Sequence, residues 1–204
     1  MRLFFIRHGM TKGNIEKRYI GCTDEDLCQD GIWQLEKKKA AGIYQEIPND
    51  AVIWSSPKKR CLQTAQILFG NKKLEVEERL QECDFGDWEG KNYMDLKNDP
   101  RYQKWIDSGG RLPFPNGEDI QEFKKRCVQA CCEILNQEQR KSSCVFVVHG
   151  GTIMAILEQF GYPQKGYYDY QCKNGDGYIC MVEQDINKNP VLRVQKKCCL
   201  REGL

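Results

Sequence analysis

Apolar residues fall into two patterns along this chain: short unbroken runs, and longer stretches in which every third or fourth position is apolar. Residues 3–6 form a run of four with Gly9 close behind, too short for a helix. It reads as a buried strand that delivers Arg7 and His8 to its C-terminal end. Residues 51–54 and 144–148 read the same way, 74–76 as a further short strand, and 178–182 with 191–194 as a final pair around Asn187-Lys188-Asn189. Helical spacing fills the intervals. Asp30 reads as the N-cap of a helix carrying Ile32, Leu35, Ile43 and Ile47, with Lys37 to Lys39 mostly on the wet side and Pro48-Asn49-Asp50 as the stop. In Ser55-Ser56-Pro57 a serine caps, and Pro57 takes the first position of a helix reaching about residue 69. A long helix over about 118–136 turns Ile120, Phe123, Cys127, Ala130, Cys131 and Ile134 inward, and 150–160 gives another.

Other stretches lack such a period. Residues 11–17 suggest a short helix weakened by Gly13, and 93–105 one or two short helices broken by Pro100. Residues 79–90 sustain neither period and are expected to form an irregular loop at the active site, and 162–170 a tyrosine-rich loop. Helices alternating with buried strands predict a three-layer α/β/α sandwich on a mostly parallel sheet. At 204 residues with no Pro/Gly/Ser-rich linker, one domain is expected, with a helical and loop insertion at about 83–117 covering the active site.

Composition narrows the choice. Net charge is +2, and the lysines come in scattered pairs such as Lys58-Lys59 and Lys124-Lys125, so solvated helix faces explain them better than a nucleic-acid partner. No apolar run approaches ~18 residues, and the N-terminus lacks the charged segment, apolar core and cleavage site of an export signal. No membrane association and a cytoplasmic location are therefore expected. The twelve cysteines include no Cys-x-x-Cys pair, and a reducing compartment disfavours disulfides. Cys61, Cys127, Cys131 and Cys144 fall on apolar phases, where cysteine acts as a small hydrophobe. No metal and no cofactor are called for.

The chain has two histidines, His8 and His149, and each ends an apolar run and precedes glycine. Open α/β sheets place their chemistry at such strand ends. Arg7-His8-Gly9 with Thr11 and Asn14, Ser55-Ser56-Pro57 with Arg60 and Thr64-Ala65, Leu80 with Glu82, and His149-Gly150-Gly151 together resemble the histidine phosphatase superfamily, also called the phosphoglycerate mutase-like family. The resemblance spans residues 1 to about 160, in the family's order. Arg-His-Gly alone would be weak; four ordered motifs using both histidines are specific.

The resemblance implies a metal-independent phosphomonoesterase acting on a small-molecule phosphate monoester through a phosphohistidine at His8, and physical chemistry agrees. A phosphate dianion repels a nucleophile unless cations and amide donors neutralise it. Arg7 and Arg60 suit that role because guanidinium is always charged and can grip phosphate bidentately. Asn14, His149 and the backbone at Gly150 would add donors. Glu82 stands at the family's proton-donor position, and burial is expected to raise its pKa. It would protonate the leaving alcohol and then deprotonate water. Glu89 is the rival acid and Asp84 a more distant one.

Taken singly, each of these residues has a plainer reading as a surface charge or polar strand end; only the combined site explains all of them. Trp88, Trp105 and the tyrosines of 162–170 read as packing or loop residues rather than a substrate cage. Met10 stands where the family usually has Glu or Gln, and Val148 where it often has serine. The stretch after Glu82 is similar to the phosphatase branch rather than the mutases. The Met-Arg-Leu start, the loop Asp84-Phe85-Gly86-Asp87-Trp88-Glu89 and Asn116-Gly117-Glu118 look more narrowly like alpha-ribazole phosphate phosphatases of cobalamin synthesis. A phosphoglycerate mutase, a broad or protein-phosphohistidine phosphatase and a non-catalytic phospho-ligand module remain alternatives.

Overall fold

The computed structural model describes residues 1–199. In chain order its strands are β1 (Arg2–Arg7), β2 (Val52–Ser55), β3 (Leu74–Val76), β4 (Ser143–Val148), β5 (Gly161–Tyr162), β6 (Gly177–Gln184) and β7 (Pro190–Cys198). They form one seven-stranded sheet in the order β3-β2-β4-β1-β6-β7-β5. β3, β2, β4 and β1 are parallel; β6 runs against β1 and β7, and β5 is parallel to β7. The mostly parallel α/β sheet expected from the sequence is thus present, with β6 reversed.

The helices are α1 (Lys12–Ile15), α2 (Gln29–Ala40), α3 (Lys59–Phe69), α4 (Tyr93–Leu96), α5 (Pro100–Asp107), α6 (Ile120–Gln137) and α7 (Gly150–Phe160). They cover both faces of the sheet, which is why its central strands are apolar without alternation. Leu3 and Phe5 of β1 belong to the core that contains Cys127 and Ala130 of α6 and Ile153 of α7. Phe4 and Ile6 point the other way, into the core with Leu35 of α2 and Cys61 and Ala65 of α3. Phe5 meets Phe146 of β4 edge-on with ring centroids 5.6 Å apart, a geometry worth about 0.5–1.5 kcal/mol beyond burial.

Register places the two histidines. Arg7 is paired with Val148 across the parallel β1–β4 ladder, so His8 and His149 leave the sheet side by side. The His8 amide donates to Val148 O at 2.9 Å, and the Ser56 amide beyond β2 donates to Val147 O at 3.1 Å. Strand ends distant in sequence therefore arrive at one edge.

Several local expectations are corrected. α2 is capped by Cys28, whose Sγ accepts from the Gly31 amide at 3.3 Å, rather than by Asp30, which lies in its first turn. It ends at Ala40, because Gly42 turns the chain with φ +75. Ile43 and Ile47 pack on the same core from the turns that follow. Lys38 is buried rather than wet, paired with Asp176. α3 starts at Lys59 with no side-chain cap, so Pro57 lies outside it. Pro100 opens α5 instead of breaking a helix, with Asp99 as its cap. The stretch read as irregular contains 3₁₀ turns at Glu78–Leu80 and Gly86–Trp88, and the tyrosine-rich stretch contains β5 and a 3₁₀ turn at Tyr167–Tyr170. All twelve cysteines are free thiols. Among the described residues no helix is long and apolar enough to cross a membrane.

Candidate active site

Beyond the C-terminal ends of β1 and β4 lies a cleft of about 890 Å³. Arg7, Asn14, Glu82 and Gly150 line it, while His8, Arg60 and His149 are buried at its floor, with His8 only 4% exposed. The His8 and His149 rings lie 5.2 Å apart.

Hydrogen bonding fixes the proton on each ring. His8 Nδ1 is 2.6 Å from Gly9 O. A carbonyl only accepts, so Nδ1 carries the proton and Nε2 keeps the lone pair. Nε2 has no hydrogen-bond partner among the described residues. Burial, and then the charges of Arg60 and Arg7, hold the His8 pKa well below its ordinary value, so the ring is neutral. His149 has the opposite tautomer: Nδ1 accepts from Arg60 Nε at 3.3 Å, leaving Nε2–H to donate to Ser56 Oγ at 2.8 Å. Burial and Arg60 likewise depress its pKa. Ser56 thus orients His149 rather than capping α3.

Arg7 and Arg60 differ. Arg7 gives Nη1 to Cys172 O at 2.7 Å and keeps its Nε buried without a partner. Arg60 gives Nη1 to Thr23 O at 2.7 Å and Nη2 to Gly21 O at 3.0 Å and Ile20 O at 3.4 Å, besides the bond to His149. The free bidentate fork expected of Arg60 is therefore not available here, because loop carbonyls hold it. Thr64, one helical turn beyond Arg60 on α3, accepts from the Gly9 amide at 2.9 Å and so ties this helix to the His8 turn.

Glu82 sits against the start of α7, accepting from the Gly151 amide at 3.0 Å and the Cys83 amide at 3.1 Å. Gly151 permits this approach, since a Cβ there would collide with Glu82 Oε1. Burial raises the Glu82 pKa against the opposing pull of these two amides, Arg60 and Arg7. The Gly150 amide, also at the helix start, has no partner among the described residues, and Gly150 lines the cleft.

The two rival carboxylates have other work. Glu89 Oε1 accepts from the amides of Gly21 at 2.7 Å and Thr23 at 2.9 Å. It clamps the loop whose carbonyls hold Arg60, and it is absent from the cleft lining. Asp84 accepts from the Gly86 amide at 2.8 Å, a local turn contact.

The aromatics divide. Trp88 is 1% exposed and packs against Tyr102, Trp105 and Phe114. Trp105, Tyr167 and Tyr168, read from the sequence as packing or loop residues, line the cleft with Phe85 and with Tyr19, which sequence reading did not anticipate. It also missed Asn174, which joins the His8 turn to Asn14. The available signal was Asn174-Gly175, a turn dipeptide next to a strand.

The chain is 29% identical over 200 residues to the adenosylcobalamin/alpha-ribazole phosphatase of Escherichia coli, covering 95% of each protein. It is 27% identical over 209 residues to phosphoserine phosphatase 1 of Hydrogenobacter thermophilus, covering 99% of this chain and 95% of that one. The crystal structure of a phosphoserine phosphatase mutant from Entamoeba histolytica in complex with phosphoserine is similar with a TM-score of 0.76 and 29% identity, over 94% of both chains. Residues 3–195 match the family model of the histidine phosphatase superfamily (branch 1), and the chain belongs to that family.

Proposed function

We propose that this protein is a phosphomonoesterase that passes the phosphoryl group of a small phosphorylated metabolite to His8 Nε2 and then to water. The observation that carries the reading is the state of His8: Nδ1–H is held by Gly9 O, and the neutral ring keeps its lone pair on Nε2 beside two arginines. Arg7, the Gly150 amide and the Asn14 amide line the cleft as phosphate donors. Arg60 adds positive charge from behind, through the one N–H that its loop and His149 contacts leave over.

In the first step the His8 Nε2 lone pair forms an N–P bond as the ester P–O bond breaks, and protonated Glu82 gives its proton to the departing oxygen. In the second, the Glu82 carboxylate takes a proton from water as the water oxygen bonds to phosphorus. The N–P bond then breaks and returns the electron pair to Nε2. The raised Glu82 pKa suits both directions of transfer.

The volume and aromatic lining of the cleft favour a ring-bearing monoester such as alpha-ribazole phosphate. Phosphoserine is the second reading. Lys17 and Arg111 line the same cleft without side-chain partners among the described residues, and a substrate carboxylate would pair with them. The test is phosphate release across alpha-ribazole phosphate, phosphoserine, phosphoglycerates, sugar phosphates and a phosphohistidine peptide. The expected outcome is hydrolysis with the highest kcat/KM for alpha-ribazole phosphate. Exchange of phosphate between glycerate positions would instead make it a mutase, and binding of phosphate without hydrolysis of any monoester would make it a binding module.

A further inference from the structure

The turn at residues 172–176, just before β6, crosses under the His8 turn although about 165 residues separate them in the chain. The Gly175 amide donates to Arg7 O at 2.9 Å, and the Arg7 amide donates to Asp176 O at 2.8 Å. At its centre Asn174 Nδ2 lies 3.1 Å from His8 O, 3.4 Å from Gly9 O and 2.9 Å from Asn14 Oδ1. Two of the three are main-chain carbonyls, which only accept, so the atom facing them is the amide nitrogen.

The same logic orients Asn14. Its Oδ1 accepts from the Thr11 amide at 3.2 Å as well as from Asn174, so that atom is the oxygen. Asn14 lines the cleft, and Nδ2 is the polar atom left for a ligand. Two anchors hold the turn itself. The buried Lys38 ammonium donates to Asn174 O at 2.9 Å and pairs with Asp176, and Tyr44 Oη donates to Gly175 O at 2.7 Å.

From this geometry we infer that Asn174 is a positioning residue: it locks the Asn14 amide with Nδ2 turned to the substrate phosphate, and Lys38 and Asp176 fix the turn that presents it. The inference rests on the phosphatase reading for its ligand. Without Asn174, Asn14 Oδ1 keeps only the 3.2 Å bond from the Thr11 amide, so rotation of its amide, which would expose an oxygen to the phosphate dianion, is opposed by one donor instead of two.

The test is a double-mutant cycle on the full chain with Asn14→Ala, Asn174→Ala and the pair. Inorganic phosphate is the probe, read both as a competitive inhibitor of p-nitrophenyl phosphate hydrolysis and by titration calorimetry. Each single substitution is expected to weaken phosphate binding about tenfold, and the pair no more than about twofold beyond the worse single, because both remove one donor. Asn174→Asp, equal in size but an acceptor, is expected to weaken it as much as Asn174→Ala and serves if the alanine variant does not fold. Independent, multiplying losses overturn the inference, as does a fall in kcat with phosphate affinity unmoved. The calorimetric arm needs no turnover. Non-additive binding losses in a chain that hydrolyses no monoester would sink the phosphatase reading and leave Asn174 in its role. Hydrolysis with additive losses would do the reverse.

Discussion

The floor of the cleft and its wall are built on different principles. The floor is set by sheet register: His8 and His149 follow paired residues of β1 and β4, and each ring is held by a short polar contact. The wall, from Phe85 through Trp105 to Phe114, is held by ring-on-ring packing, with Phe85 and Phe114 centroids 4.9 Å apart and Trp105 and Phe114 5.6 Å apart. Polar contacts of defined direction suit a reaction that needs one lone pair and one proton in fixed places. Apolar packing excludes water and sets a shape, so it suits the choice of which monoester stays. On the proposed reading, substitutions in the floor change kcat and substitutions in the wall change KM selectively.

The largest test of that division is His8→Ala, expected to lower kcat on the order of 10⁵-fold while leaving the melting transition in place. Measured turnover within tenfold of the parent would end the phosphohistidine proposal. Next, Glu82→Gln is expected to cost about 10²–10⁴-fold on alkyl phosphates and far less on p-nitrophenyl phosphate, whose leaving group needs no proton. pH profiles sharpen this. The depressed His8 pKa keeps the nucleophile neutral well below pH 6.5, and the raised Glu82 pKa sets the alkaline decline above its ordinary 4.5, so Glu82→Gln should erase that decline. A decline that survives in Glu82→Gln and vanishes in Glu89→Gln would transfer the acid role.

The depressed pKa values also carry a stability signature. An unfolded chain protonates both histidines below about pH 6.5, whereas the fold holds them neutral, so the unfolded state binds more protons there. The buried pair's contribution is present above pH 6.5 and lost as pH falls. Denaturant midpoints should therefore drop more steeply between pH 7 and 5 in the parent than in His149→Gln.

Smaller effects are expected at the junction and the wall. Glu89→Ala leaves the Gly21 and Thr23 amides without their acceptor and should cost about 1–3 kcal/mol in denaturant unfolding. Trp105→Leu should raise KM for a ring-bearing monoester about two- to tenfold and leave phosphoserine unchanged; equal effects on both would assign the wall to packing alone.

This division also explains what was legible in the sequence. Residues 3–6 and 144–148 are unbroken apolar runs because helices cover both faces of the sheet, and the histidines that follow announce the floor. Helical period puts Lys38 on the wet face, because it assigns a face but cannot see that Asp176, from a distant turn, meets it. Arg60 lies beside His149, as the motif order implies, but most of its bonds go to loop carbonyls that leave no trace in residue type. The wall falls within the insertion at 83–117 expected to cover the site, but which rings line it is not legible, because rings that pack on one another, such as Tyr102 stacked on Trp105, follow no period.

The place of β1 in the sheet has a consequence for synthesis. The strand bearing His8 is made before both of its neighbours in the sheet, β4 and β6, which end at Val148 and Gln184. A nascent chain carries Arg7 and His8 without a partner strand until β4 and then β6 have been made. Pairing between such remote segments is slow to form. His8, the proposed nucleophile, is therefore expected to remain chemically silent until β6 emerges and then to acquire its surroundings in one event. Activity in a series of stalled chains should appear abruptly, only once β6 has cleared the exit tunnel.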